Sequence, residues 1–133
     1  VAAREAGFDR VTLLEEPLVM AGDYNVIPKA IDARNPQAWV SDALFLPQSR
    51  ARFRELEWLG LTDAVRLHHP DAPGFYSFWD YQAGAWQRDN GIRIDHHLLS
   101  PQAADRLAGV RIDRHVRGWE RPSDHVPVVI DLQ

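Results

Sequence analysis

Three short polar clusters each adjoin an apolar run of strand length, and this pairing limits the fold more than any other feature of the chain. Gly22-Asp23-Tyr24-Asn25 follows Leu18-Val19-Met20-Ala21, Arg93-Ile94-Asp95 opens the run over residues 92–99, and Pro122-Ser123-Asp124-His125 precedes residues 126–132. A short apolar run with a polar stop reads as a strand in a sheet, with the polar end left at the sheet's rim. Between the first two clusters, Phe53, Leu56, Trp58 and Leu59 recur at helical spacing among charges, with Pro47 near the start and Gly60 at the stop. That pattern predicts an amphipathic helix over residues 47–59, so the class is α/β.

The remaining elements follow from the same signals. Residues 2–8 are helix-compatible, and the run from residue 11 leads into a buried strand over residues 18–21. Residues 26–47 read as mostly loop, with a short helix around residues 36–43. An aromatic strand over residues 75–81 is expected to pair antiparallel with residues 92–99 through the turn Asp89-Asn90-Gly91, since Asn and Gly tolerate positive φ. Ser100 followed by Pro101 predicts a short capped helix over residues 100–107. Strands over residues 110–116 and 126–132 complete the chain.

A chain of 133 residues with 45% hydrophobic residues supports one domain. It has neither a membrane-length apolar run nor the basic-then-apolar order of a signal peptide. It opens at Val1 inside an apparent helix-to-strand passage, which reads as a segment of something longer. With no cysteine, disulfides and Cys-ligated zinc are excluded, and a bacterial cytoplasm is the expected compartment. A net charge of −4 does not advertise a nucleic-acid binder. However, 14 of the 15 basic residues are Arg, suited to bidentate phosphate contacts, and a divalent cation would offset clustered carboxylates.

Asp, Asn, Asp, Asp and His are what metal-assisted attack on a phosphodiester uses: carboxylates hold a hard cation and direct water, and an amide and an imidazole stabilise phosphoryl charge. Asp23 and Asn25, two apart on an extended segment, project from one face about 7 Å apart. Asp23 is expected to orient or deprotonate water, and Asn25 to donate to a non-bridging oxygen while holding the Asp23 carboxylate. Gly22 would let the backbone come close. Two prolines stiffen the loop that presents His125. As imidazolium, His125 would stabilise the pentacovalent phosphorus, with Asp95 fixing its tautomer. Asp124, beside His125, is left to a cation or its water shell, so Asp124 and His125 form the metal side of the site. Each cluster also has a plainer reading: an Asx turn at residues 22–25, a capped turn with a surface histidine at 123–125, and an ion pair of Asp95 with Arg93 or another Arg. His68, His69, His96 and His97 come as adjacent pairs whose side chains point opposite ways on a strand, so they read as structural or solvent-facing.

The three clusters in this order, with Trp58-Leu59-Gly60-Leu61-Thr62-Asp63-Ala64-Val65-Arg66, Ser77-Phe78-Trp79-Asp80-Tyr81 and Gly91-Ile92-Arg93-Ile94-Asp95 between them, resemble the C-terminal half of the exonuclease III-like apurinic/apyrimidinic endonucleases. These belong to the endonuclease/exonuclease/phosphatase superfamily, and the resemblance runs over nearly the whole chain. It implies that residues 1–133 are the C-terminal half of a four-layer α/β sandwich, an antiparallel-rich sheet with helices on its outer face. It also implies a DNA-repair nuclease that uses Mg²⁺ or Mn²⁺ to cleave duplex DNA at abasic sites and trim 3′ ends.

By the same resemblance, Asp23 and Asn25 stand at the water and phosphate, Asp95 pairs with His125, and Asp124 lies near the metal. Phe78, Ile92 and Ile94 would form the pocket for the baseless sugar, provided the strand curls at Asp95. The family's N-terminal half, with its principal metal-binding glutamate, has no counterpart here, so the segment alone is expected to be inactive. One apolar sheet face is expected to be bare and to drive self-association. Two other readings stay open: a superfamily phosphoesterase acting on a nucleotide, lipid or sugar phosphate, and a non-catalytic DNA-binding or assembly module.

Overall fold

Strand β3 (Asp95–Leu99) is the axis of the main sheet. It pairs antiparallel with β1 (Val19–Asp23) on one side and with the short β2 (Thr62–Asp63) on the other, giving the order β1-β3-β2. The computed structural model describes residues 15–133, and the expectations for residues 2–8 and 11–14 lie outside them. Because successive strand residues face opposite ways, β3 carries a different core on each side. Leu98 packs with Phe53, Leu56 and Leu61, while Leu99 packs with Ala64 and Ala103 and is joined by Val110 and Ile130.

The first face is covered by α1 (Pro47–Trp58), which starts and stops as its sequence predicts. Gly60 has φ of +106°, a left-handed stop. Phe53 and Leu56 are buried, but Trp58 is 75% exposed, since a residue two places after Leu56 turns away from the stripe. The other face is covered by β4 (Leu107–Ile112) paired antiparallel with β5 (Val128–Leu132). Both are shorter than expected: residues 114–118 form a 3-10 turn, and the last strand begins after Pro127. His97 Nε2 lies 2.8 Å from the Val128 carbonyl and ties the sheets together. The expected bare sheet face is therefore covered at β3. Among the described residues β1 is left as an edge strand: Ala21 is exposed, against the buried strand expected over residues 18–21, and so are Gly22 and Asp23 beyond it.

Helix α2 (Ala64–His68) follows β2 directly, and α3 (Pro101–Asp105) follows β3. Ser100 caps α3 as predicted, and its buried hydroxyl also accepts from the Leu18 N–H and donates to the Glu16 carbonyl, tying the end of β3 to the entry of β1. All strand pairing among the described residues is antiparallel, in keeping with the expected class. No helix among them is long and apolar enough to cross a membrane.

Residues 75–81 form no ladder. They are a crosspiece that bridges Ile92 on one side and His125 on the other, both through Phe78. Beyond Phe78, Arg117 takes the Trp79 and Asp80 carbonyls, acceptors that a longer ladder would have used. The turn that returns to Ile92 also differs in detail. Asp89 holds the positive φ of 53°, whereas Gly91 is required by space: a Cβ there would stand 2.7 Å from Tyr76 Cβ and 2.8 Å from Trp79 Nε1.

Candidate active site

The register of β1 on β3 sets Asp23 directly opposite Asp95 at the rim of the sheet. Like charges in that relation repel, so the pair calls for a cation or a donor between them. His125 supplies it. Its Nδ1 lies 2.8 Å from Asp95 Oδ2 and its Nε2 lies 3.7 Å from Asp23 Oδ2. The carboxylate of Asp95 accepts the Nδ1 proton, which fixes the tautomer and leaves Nε2 facing Asp23 and the site. His125 is held from both neighbours: the Trp79 N–H donates to the Asp124 carbonyl and the Val126 N–H to the Ser77 carbonyl. The Phe78 ring meets the imidazole edge-on at 5.2 Å between centroids.

Asp23 is held locally. Its Oδ1 accepts from the backbone N–H of Asn25 at 2.8 Å, and Asn25 sits at φ of +50°. The bond expected from the Asn25 side chain is thus made by its backbone, and the amide is left exposed beside the site. Gly22 has a φ of +148°, which L side chains rarely adopt, and nothing stands within 4 Å of a Cβ placed there.

Asp23, Asp95 and His125 each present one ligand atom within 4.8 Å of the others, a group able to hold a cation. Asp124 stands just outside it, with Oδ1 4.0 Å from His125 Nε2. Ile92 and Ile94 are 0% and 2% exposed and pack with Ile27, Ala33 and Phe45. The Ile94 and Asp95 N–H groups both turn to Ser77 Oγ, so the backbone does curl at the start of β3, yet these isoleucines are buried beneath the site and present no surface to it. Phe78, half-buried, packs on them and on His125.

Arg93, a possible partner for Asp95 by sequence, is fully committed elsewhere. It is 1% exposed and bonds Asp32 through Nε at 2.7 Å and Asp63 through Nη2 at 2.7 Å. Arg66 adds a second ion pair to Asp32. Burial would raise the Asp32 carboxyl, but the two guanidiniums outweigh it and hold the group below its ordinary range. His96 completes the cluster: Nε2 donates to the Val26 carbonyl at 2.9 Å, and Nδ1 accepts from Arg93 Nη1 at 3.1 Å. Burial, then the Arg93 charge, push His96 down to about 4, so it is a neutral structural histidine. Asp32 and Asp63 carried a signal that sequence reasoning passed over, each being a lone acid beside apolar neighbours.

A groove of about 790 Å³ runs from Asp23 along β1 and α1, floored by Met20, Phe53 and Leu56 and edged by Asn25, Ser49 and Arg52. A smaller recess of about 240 Å³ lies against Asp23, Asp95, His97 and Val128. Asp23 thus borders both hollows, and Asp95 the smaller one.

Comparison with known proteins places this geometry in context. The chain is 35% identical over 118 residues to exodeoxyribonuclease III of Haemophilus influenzae, covering 84% of this chain and 44% of that protein. It is 37% identical over 114 residues to the exodeoxyribonuclease of Bacillus subtilis, covering 86% and 44%. Among solved structures, the 3′ phosphatase NExo from Neisseria bound to product DNA hairpin superposes with a TM-score of 0.89 at 38% identity, covering 98% of this chain and 51% of that one. An AP endonuclease from Archaeoglobus fulgidus superposes at 0.86 and 32% identity, covering 96% and 48%. The chain spans about half the length of the relatives it matches, and corresponds to their C-terminal half. Residues 4–125 match the Endonuclease/Exonuclease/phosphatase family, to which this chain therefore belongs.

Proposed function

We propose that this chain carries the proton-handling and phosphate-binding half of a DNA-repair nuclease that hydrolyses phosphodiesters at abasic sites and trims 3′ ends of duplex DNA. The observation that supports it best is the line Asp95–His125–Asp23, with 2.8 Å and 3.7 Å separations, at the rim of the sheet. Asp23, with Oδ1 held by Asn25 N–H, directs the attacking water through its other oxygen. The exposed Asn25 amide donates to a non-bridging phosphate oxygen. His125, with Nδ1–H given to Asp95, turns Nε2 to the phosphoryl group and, when protonated, donates there. Phe78 is the one member of the expected sugar pocket that keeps surface near His125.

The donor set suits Mg²⁺ or Mn²⁺, because carboxylate oxygens predominate and hard ions prefer them. Asp23 and Asp124, whose carboxylates flank His125 Nε2 at 3.7 Å and 4.0 Å, are the groups to hold it; His125, expected by sequence beside Asp124 on the metal side, borders the ion and keeps Nε2 for the phosphate. When bound, it would neutralise charge on the phosphoryl oxygens. So few anionic ligands hold such an ion weakly, and the segment alone is therefore inactive. The edge of β1, unpaired among the described residues, is the place where isolated copies associate. The absence of cysteine suits the cytoplasm, where we place the protein.

The test is a chimera in which this chain replaces the matching half of the B. subtilis exodeoxyribonuclease, incubated with duplex carrying an abasic analogue. Cleavage with Mg²⁺ or Mn²⁺, lost with chelator and reduced roughly 10²–10⁴-fold by His125→Ala, is the expected result. Equal cleavage by the folded alanine variant would remove the mechanism.

A further inference from the structure

We infer that Ser77 is a positioning residue for the Asp95–His125 pair, an inference that rests on reading that pair as reactive. Ser77 is fully buried. Its Oγ accepts from two consecutive backbone amides, Ile94 N–H at 3.0 Å and Asp95 N–H at 3.1 Å. Its own N–H donates to the Ile92 carbonyl at 2.9 Å, and its carbonyl accepts from Val126 N–H at 2.9 Å. One residue is thus bonded to the segment that carries Asp95 and to the segment that carries His125. The two segments lie 30 residues apart in sequence and lead into different sheets.

Two successive amides turn to one side here because the β3 ladder begins only at Asp95. A hydroxyl oxygen has two lone pairs and can accept both. No main-chain group of a neighbouring strand occupies that place, so the side chain completes the backbone where the chemistry needs it fixed. Without it, two buried donors lose their acceptor, and the local remedy is rotation of the Ile94–Asp95 peptide, which swings the Asp95 carboxylate. A reactive constellation tolerates only about 0.5 Å of such drift. Ser77 therefore acts on His125 through Asp95, and touches neither substrate nor metal.

The readout is the His125 imidazole in the intact chain, followed by ¹⁵N and ¹H NMR and assigned by its loss in His125→Asn. In the unaltered chain the Nδ1–H tautomer dominates and its proton exchanges slowly. Ser77→Ala is expected to mix the tautomers and speed that exchange roughly tenfold, the scale of one lost net hydrogen bond. Ser77→Thr, which keeps the hydroxyl, retains the signature, and Leu56→Val, which loosens the core at α1, lowers stability without moving it. A folded Ser77→Ala with the unaltered tautomer and exchange overturns the inference, as does equal loss in Leu56→Val. Should Ser77→Ala not fold, Ser77→Cys keeps the size with a weaker acceptor, and an unchanged His125 in it gives the same refutation. These signals do not require cleavage. An inactive chimera that still shows the Ser77-dependent signature would sink the nuclease reading and leave this inference standing.

Discussion

Replacing His96 with Gln should flatten the acid dependence of stability, and the size of the effect follows from its surroundings. The ring is 1% exposed, with Nε2–H on the Val26 carbonyl and Nδ1 facing Arg93, so a proton added at Nδ1 would meet a guanidinium N–H. Asp63 and Asp32 stand beyond Arg93 and pull the other way, less strongly than burial and Arg93 push. The folded value is about 4 against 6.5 unfolded. The unfolded chain therefore binds the extra proton first, and stability present above about pH 6.5 is lost as pH falls toward 4. At 1.36 kcal/mol for each pH unit, the full loss is about 3 kcal/mol, and about 2 kcal/mol is gone by pH 5. Gln keeps one donor and one acceptor without titrating. Urea unfolding of both chains between about pH 7.5 and about pH 4.5 should show the unaltered chain losing about 2–3 kcal/mol more than His96→Gln. Glu57, raised chiefly by burial, acts in the opposite sense in the acid range, but it is common to both chains and drops out of the difference. Asp32, being lowered, contributes only below its ordinary value of 3.8. Parallel pH profiles for the two chains would refute the buried-neutral assignment.

Arg93→Met strands the Asp63 carboxylate and leaves Asp32 with Arg66 alone, and should cost about 3–5 kcal/mol in urea unfolding, whereas a surface change such as Arg52→Met should stay within about 0.5 kcal/mol. Gly91→Ala forces a methyl onto Tyr76 and Trp79 and should cost about 1–3 kcal/mol, read as a lower Tm. In the chimera, Asp95→Asn should reduce kcat by about 10²-fold or more with little change in KM, because the tautomer control is lost while the binding surface stays. In sedimentation the isolated chain should associate through the edge of β1. A monodisperse monomer would speak against that role.

Much of this molecule can be read locally. Pro47, the Phe53–Leu56 spacing and Gly60 encode α1 within their own neighbourhood, and Ser100-Pro101 encodes the start of α3. The clusters at Asp23, Asp95 and His125, whose side chains the fold brings together, were legible as candidates because each stands where a strand meets a loop. The residues that organise them were harder to read. Trp58 is apolar and belongs by composition to the helix's buried stripe, yet its angular position two residues past Leu56 turns it to solvent. Residues 75–81 have strand composition, yet Arg117, far along the chain, captures the carbonyls that a ladder needs.

Caps, periodicity and the polar clusters that mark strand ends are properties of neighbouring residues, and they are written in the order of the amino acids. Register is not. That Asp23 faces Asp95 rather than its neighbour, that Arg93 turns to Asp32 and Asp63 and leaves Asp95 to His125, and that Ile92 and Ile94 sink beneath the site are long-range outcomes. Each is chosen by which partners satisfy buried charges and amides once the two sheets have closed, and that competition has no local signature.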